Sequence, residues 1–173
     1  MNKNNINKNI FKDRKGNTKI KPEDDKVNKR TSAYGIAINK NKILLVKPTW
    51  KQEFDLPGGG IETKESLTDC LQREFYEETG MNIESLSTNP VAIEEELFYA
   101  DDINKYFDSK QCFFLVNITT IDYLWKADEK EIQEIIWYDI KDINNTKIKH
   151  NIKKTHLKVI RNLLNKDLLH DTK

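Results

Sequence analysis

Residues 59–81 read GGIETKESLTDCLQREFYEETGM. Gly59 is followed by Glu65, then by Arg73-Glu74, an apolar Phe75, and the run Glu77-Glu78-Thr79-Gly80-Met81. Ser66 with Asp69 three residues on has the form of a capping pair, and Gly80 offers a left-handed stop, so the spacing predicts a helix over 66–79. On a wheel of about 100° per residue, Glu74, Glu77 and Glu78 fall within an arc of roughly 100°, and Leu67, Cys70, Leu71 and Phe75 lie in or beside it. A solvated acidic stripe would sit opposite the apolar residues. These carboxylates instead share the inward side, where like charges repel and each is driven toward protonation unless a cation compensates them. With no His or Cys among them, oxygen donors suit Mg²⁺ or Mn²⁺ rather than zinc or copper.

Nine specified positions at fixed offsets within these 23 residues resemble the Nudix box, and the chain is similar to the Nudix hydrolases. The resemblance implies a Mg²⁺-dependent (or Mn²⁺-dependent) enzyme that cuts the pyrophosphate link of a nucleoside diphosphate joined to another moiety. It implies that Glu74, Glu77 and Glu78 ligate the metal together with Gly59, and that Glu65 and Arg73 form an ion pair bracing the loop against the helix. Relatives also supply a carboxylate shortly before a late strand carrying a Trp. Here Glu131, six residues before Trp137, matches that position, with Glu134 as the substitute. The catalytic set implied is thus Glu65, Arg73, Glu74, Glu77, Glu78 and Glu131. Which residue takes the proton stays open.

The chain's 173 residues suit one domain with a tail. Residues 1–30 hold ten Lys/Arg against four acids, a net of +6 that leaves −5 on the rest, since the whole chain carries +1. The expectation is a basic, Asn-rich, flexible extension over 1–30 and a single hydrolase domain over 31–173. Cys70 and Cys112 lack any CxxC or Cys/His spacing, so both read as core residues rather than nucleophiles or zinc ligands. No apolar run approaches the ~18 residues of a membrane span, and a cytoplasmic protein with no membrane partner is expected.

Ala33 to Ile38 puts Tyr34, Ile36 and Ile38 on one strand face. Asn39 to Lys42 then makes a hairpin turn into Ile43-Leu44-Leu45-Val46, a strand buried on both faces. A Pro/Gly-bracketed loop carrying Trp50, Lys51, Phe54 and Asp55 enters the box. Strands are expected at 91–99, 111–119 and 135–139, and an amphipathic closing helix over 144–165. The fold class is α/β (α+β), a Nudix-like α/β/α sandwich with a mixed sheet between helices.

For substrate contacts, Trp50, Phe54 and Tyr99 are candidates, with Phe98 and Phe107 as further aromatics that could stack a base. Gly58 and Gly60 are candidates because their backbone can approach a phosphate closely. His150, His156 and His170 receive no catalytic role. A small-molecule nucleotide (an NTP or dNTP, a dinucleoside polyphosphate or a nucleotide sugar) is the expected partner, with RNA and a homodimer as further partner readings. Two functional alternatives stay open: a catalytically silent nucleotide-binding or regulatory module, and an RNA 5′-pyrophosphohydrolase using the basic arm.

Overall fold

Alternating apolar residues on both sides of a hairpin set the centre of the fold. A computed structural model of the chain describes residues 9–13, 16–145 and 150–169. Its elements are β1 (Ile10–Lys12), β2 (Thr18–Ile20), β3 (Val27–Asn39), β4 (Lys42–Pro48), β5 (Gly58–Gly60), α1 (Leu67–Thr79), β6 (Met81–Ser85), β7 (Ala92–Ala100), β8 (Lys105–Ile121), β9 (Ile132–Asp139), α2 (Ile140–Ile143) and α3 (Lys154–Asn165). β3 and β4 meet through Lys40 and Asn41, both at positive φ (49° and 59°), which is the backbone twist that a two-residue hairpin connection needs.

The sheet is mixed, in the order β2-β1-β7-β8-β3-β4-β9, with β5 added to β3 and β6 to β8. Val27 to Ala37 of β3 runs parallel to Tyr106 to Val116 of β8, while β4 and β9 are antiparallel. Period-two alternation sends Ile36, Ile38, Ile43, Leu45 and Phe113 to the face covered by Val159, Ile160 and Leu163 of α3. Ala33, Ala37, Leu44, Phe114 and Val116 pack on the other face against Cys70, Leu71 and Phe75 of α1. The expected sandwich, with a mixed sheet between helices, is the architecture found. No helix among the described residues is long and apolar enough to cross a membrane.

α1 ends where its caps place it. Ser66 Oγ accepts from the Asp69 N–H at 3.1 Å, Asp69 accepts from the Ser66 N–H at 3.4 Å, and Gly80 (φ 68°) donates its N–H to the Tyr76 carbonyl.

Two expectations are corrected, and one strand was not foreseen. The closing helix begins at Lys154, not Asn144, because the 151–153 backbone is already committed to Phe54: Asn151 O accepts from Phe54 N–H and Lys153 N–H donates to Phe54 O. Residues 146–149 of the expected helix lie outside the described residues. Met81–Ser85 is a strand without an alternating pattern of its own, held by pairing to β8. The arm read as a flexible extension contributes sheet in its described part, residues 1–8 and 14–15 of that stretch lying outside it. β1 pairs with β2 and β7, Phe11 is fully buried with its ring 4.9 Å from that of Tyr106, and a boundary after residue 30 cuts β3 inside its register with β8. One deeply placed aromatic anchors an otherwise polar hairpin, which composition averages conceal.

Phe11→Ala should therefore cost about 3 kcal/mol in urea denaturation, the scale of a buried Phe truncation. An unchanged midpoint would show that the hairpin lies outside the cooperative unit.

Candidate active site

β5 consists of three glycines laid antiparallel on Ser32 to Tyr34. Gly58 has φ 139°, and a Cβ there would fall 2.1 Å from the Ala33 carbonyl oxygen. At Gly59 a Cβ would sit 2.4 Å from the Glu74 carboxyl carbon. The space of a missing side chain is thus the space that carboxylate occupies, and α1 presses its acidic residues directly onto main chain. The Gly58 N–H donates to Glu78 Oε2 at 2.8 Å, and the Gly59 carbonyl is turned toward α1, where it accepts from the Cys70 thiol at 3.5 Å.

Arg73 binds this arrangement together. Its Nε and Nη2 donate to the two oxygens of Glu65 at 2.8 and 3.0 Å, and Nη2 also reaches the Gly60 carbonyl at 3.2 Å. Its Nη1 lies 3.0 Å from both Glu74 Oε1 and Glu77 Oε2. The Glu65–Arg73 pair is therefore present, and it is bidentate. Hydrogen bonding to Arg73 holds the Glu65 carboxyl down at about 2. Burial does the opposite to the others: it pushes Glu78 up to about 8 and raises Glu74 as well. Glu77 stands at the rim, its side chain 55% exposed against 20% for Glu74, so the inward grouping holds for two of the three glutamates.

Among the described residues no group of three His, Cys, Asp or Glu side chains closes tightly enough to hold an ion. Glu74 and Glu77 lean on Arg73 while Glu78 is tied to Gly58. The donor set nevertheless fits a hard cation. It is all oxygen, it is partly buried, and in Glu78 it contains a carboxyl whose charge nothing nearby fully offsets.

Beside Glu74 opens a cleft of about 450 Å³, lined by Lys29, Arg30, Thr31, Gly60, Ile61, Glu74 and Phe107. Lys29 and Arg30 had been read as part of the tail; only their place at the start of β3 brings them here. Glu131 is exposed, and its contact is a backbone one, accepting from the Thr49 N–H at 2.9 Å; its carboxylate makes no hydrogen bond or ion pair with the cluster, and Glu134 is exposed on β9. Trp50 is 54% exposed on its loop. Phe54 is bridged to Ile152, with Lys47 Nζ 5.9 Å from its ring centre. Tyr99 packs against Tyr106 with ring centres 4.8 Å apart and planes inclined by 42°, on the sheet face opposite Phe98 and Phe107.

The sequence also concealed a polar network behind β5. Lys51 pairs with Asp55, and His156, fully buried, accepts the Leu56 N–H on Nδ1 at 3.0 Å. Burial holds His156 neutral, well below the ordinary histidine range, so it braces α3 against the loop that enters β5. Lys153 reaches Gln111 at 3.5 Å and Glu96 at 3.7 Å.

The opposed shifts make a test of the metal-free protein. Glu78 binds its proton more tightly folded than unfolded, so its ionisation destabilises the fold progressively as pH rises from 4.5 to about 8. Glu78→Gln should raise the thermal midpoint at pH 8 and lose that advantage below pH 4.5. Glu65 runs the other way: its contribution is present above 4.5 and fades as pH falls toward about 2. Equal midpoints for Glu78→Gln and the parent at pH 8 would show that Glu78 is not under strain.

Known proteins resemble the chain in sequence and in fold. The chain is 30% identical over 131 residues to the mRNA-decapping enzyme subunit 2 of Saccharomyces cerevisiae strain YJM789, covering 74% of this chain and 13% of that protein. It is 42% identical over 53 residues to the 8-oxo-dGTP diphosphatase of Buchnera aphidicola subsp. Schizaphis graminum, covering 28% of this chain and 41% of that protein. The matched stretches thus span less than half the length of either curated relative. The crystal structure of a MutT protein from Methanosarcina mazei Go1 superposes with a TM-score of 0.62 at 18% identity, over 82% of this chain and 97% of that one, a likeness of fold. The family model described as NUDIX domain matches residues 28–163, the stretch in which β5, α1 and Arg73 assemble the acidic cluster, and the chain belongs to that family.

Proposed function

We propose that the chain is a divalent-metal-dependent hydrolase that cleaves the pyrophosphate bond of a nucleoside diphosphate linked to another moiety. The observation that carries this reading is the placing of Glu74 and Glu78 against the bare backbone of Gly58 and Gly59, with Glu74 lining a cleft able to admit a nucleotide. Glu74, Glu77 and Glu78, with the Gly59 carbonyl, would hold Mg²⁺ or Mn²⁺. Such an ion supplies charge neutralisation at the diphosphate and an acidified water for in-line attack on phosphorus.

The chain's own residues prepare that chemistry. Arg73 spans Glu65 and the Gly60 carbonyl, so it fixes β5 relative to α1 and with it the separation of Gly59 from Glu74. Its contacts to Glu74 and Glu77 hold two carboxylates at the site before any ligand arrives. Glu78 keeps one oxygen on the Gly58 N–H, and burial raises its carboxyl in the metal-free chain to about 8, a cost that a cation at its other oxygen would relieve. Cys70 and Cys112 are both buried free thiols, which supports a reducing, cytoplasmic setting.

A second reading has its own support: an RNA 5′ end as substrate. The relative of 30% identity is named an mRNA-decapping enzyme subunit, and Lys29 and Arg30 line the cleft.

A panel of nucleoside triphosphates, dinucleoside polyphosphates, nucleotide sugars and capped or 5′-triphosphorylated RNA, incubated with Mg²⁺ or Mn²⁺ and analysed by mass, tests both. Turnover should appear for at least one compound and fall by at least about a hundredfold in Glu78→Gln. Metal-dependent binding without turnover of any compound would make the chain a silent binding module instead.

A further inference from the structure

The two arginines at the site are used very differently. Arg73 is consumed, its guanidinium shared among Glu65, Glu74, Glu77 and the Gly60 carbonyl. Arg30 makes no hydrogen bond or ion pair among the described residues, yet it is close enough for its charge to lower the Glu74 carboxyl. A Cβ on Gly60 would meet Arg30 Nη2 at 2.9 Å and Nε at 3.0 Å, so that edge of the guanidinium comes up against bare glycine backbone. A fork with five N–H donors is thus presented to the cleft next to the acidic cluster.

Across the parallel β3–β8 pair, Arg30 stands opposite Ser109 and Asn28 opposite Phe107. Arg30 and Phe107 share one sheet face, one strand apart and two residues along, a separation of roughly 8 Å. The Phe107 ring is supported by Phe98, with centroids 6.1 Å apart and planes inclined by 27°. The cleft therefore brings together the Glu74 carboxylate, an unpaired guanidinium and an aromatic wall, and this set of chemistries matches a diphosphate, a sugar and a base.

We propose that Arg30 and Phe107 form the seat for the nucleoside half of the ligand, Arg30 gripping phosphate oxygens on the side away from the metal and Phe107 stacking the base. The proposal rests on the nucleotide reading above and adds to it which wall takes which part. Stacking on a phenyl face tolerates every base, so this seat selects for the presence of a base next to a phosphate, not for its identity. Gly60 matters as the bare surface that the guanidinium edge comes up against.

Calorimetry with probes that cannot be cleaved tests this apart from catalysis. The α,β-methylene diphosphates of adenosine, guanosine, cytidine and uridine, and base-free methylenediphosphonate, are titrated into the full chain in Mg²⁺. The parent should bind at least one nucleotide probe more tightly than the base-free one. Arg30→Ala should weaken both classes by about ten- to a hundredfold, the effect of losing a charge-assisted hydrogen bond, with Arg30→Lys between. Phe107→Ala should lose about tenfold on the nucleotides and nothing on methylenediphosphonate. Thermal midpoints of the Arg30 variants should match the parent, since the side chain is exposed and unpaired. Affinities unchanged in Arg30→Ala, an equal loss on both probe classes in Phe107→Ala, or a parent that binds no probe would overturn the seat. Binding that follows the expected pattern in a chain that turns over nothing would leave the seat standing and sink the hydrolase reading.

Discussion

The guanidinium of Arg73 is the contact on which the site depends. One side chain engages a carboxylate in the loop, a carbonyl of β5 and two carboxylates on its own helix. That geometry fixes the polar register of three pieces of chain that the apolar cluster around Cys70, Leu71 and Phe75 brings together. Without it, the close approach of Glu74 to Gly59 would set an acidic helix face against main chain with only the charge of Arg30 to offset it. Bidentate pairing suits the task because it fixes direction as well as distance.

From that contact follows an electrostatic asymmetry. Glu65 is fully compensated and its carboxyl is held down, whereas Glu78, one helix face away, has only a backbone N–H and is pushed up by burial. A fold optimised for stability alone would not bury a carboxyl without a cationic partner. The stored cost is of the kind that a bound cation relieves, and it lies where the polar backbone of β5 meets the cleft. Behind it, His156 of α3 holds the entering loop through the Leu56 N–H, and Lys51 pairs with Asp55 within that loop, so α3 bears on the segment that leads into the three glycines.

The start of the chain has more to do with the site than its composition suggests. Its basic residues look alike in sequence, but they divide in the fold. Lys12 and Lys19 belong to a hairpin anchored by Phe11, while Lys29 and Arg30 open the longest parallel pairing in the sheet and reach the cleft. Charge density alone cannot make that distinction, because it carries no register.

The local elements were legible in the sequence because local physics decides them. Ser66, Asp69 and Gly80 cap α1 within one turn of their own positions, and the β3–β4 hairpin follows from alternation across a short polar turn, whereas the Glu65–Arg73 pair was legible only through the family resemblance. Tertiary structure alone decided the rest. β6 exists only as a partner of β8, α3 starts late because Phe54 occupies the preceding backbone, and Tyr99 turns away from the face that bears Phe107. Arg30 comes against Gly60 through the β3–β5 pairing, and near Phe107 through a β3–β8 pairing of segments almost eighty residues apart. Contacts of that range depend on which strands become neighbours, and no window of sequence contains both partners.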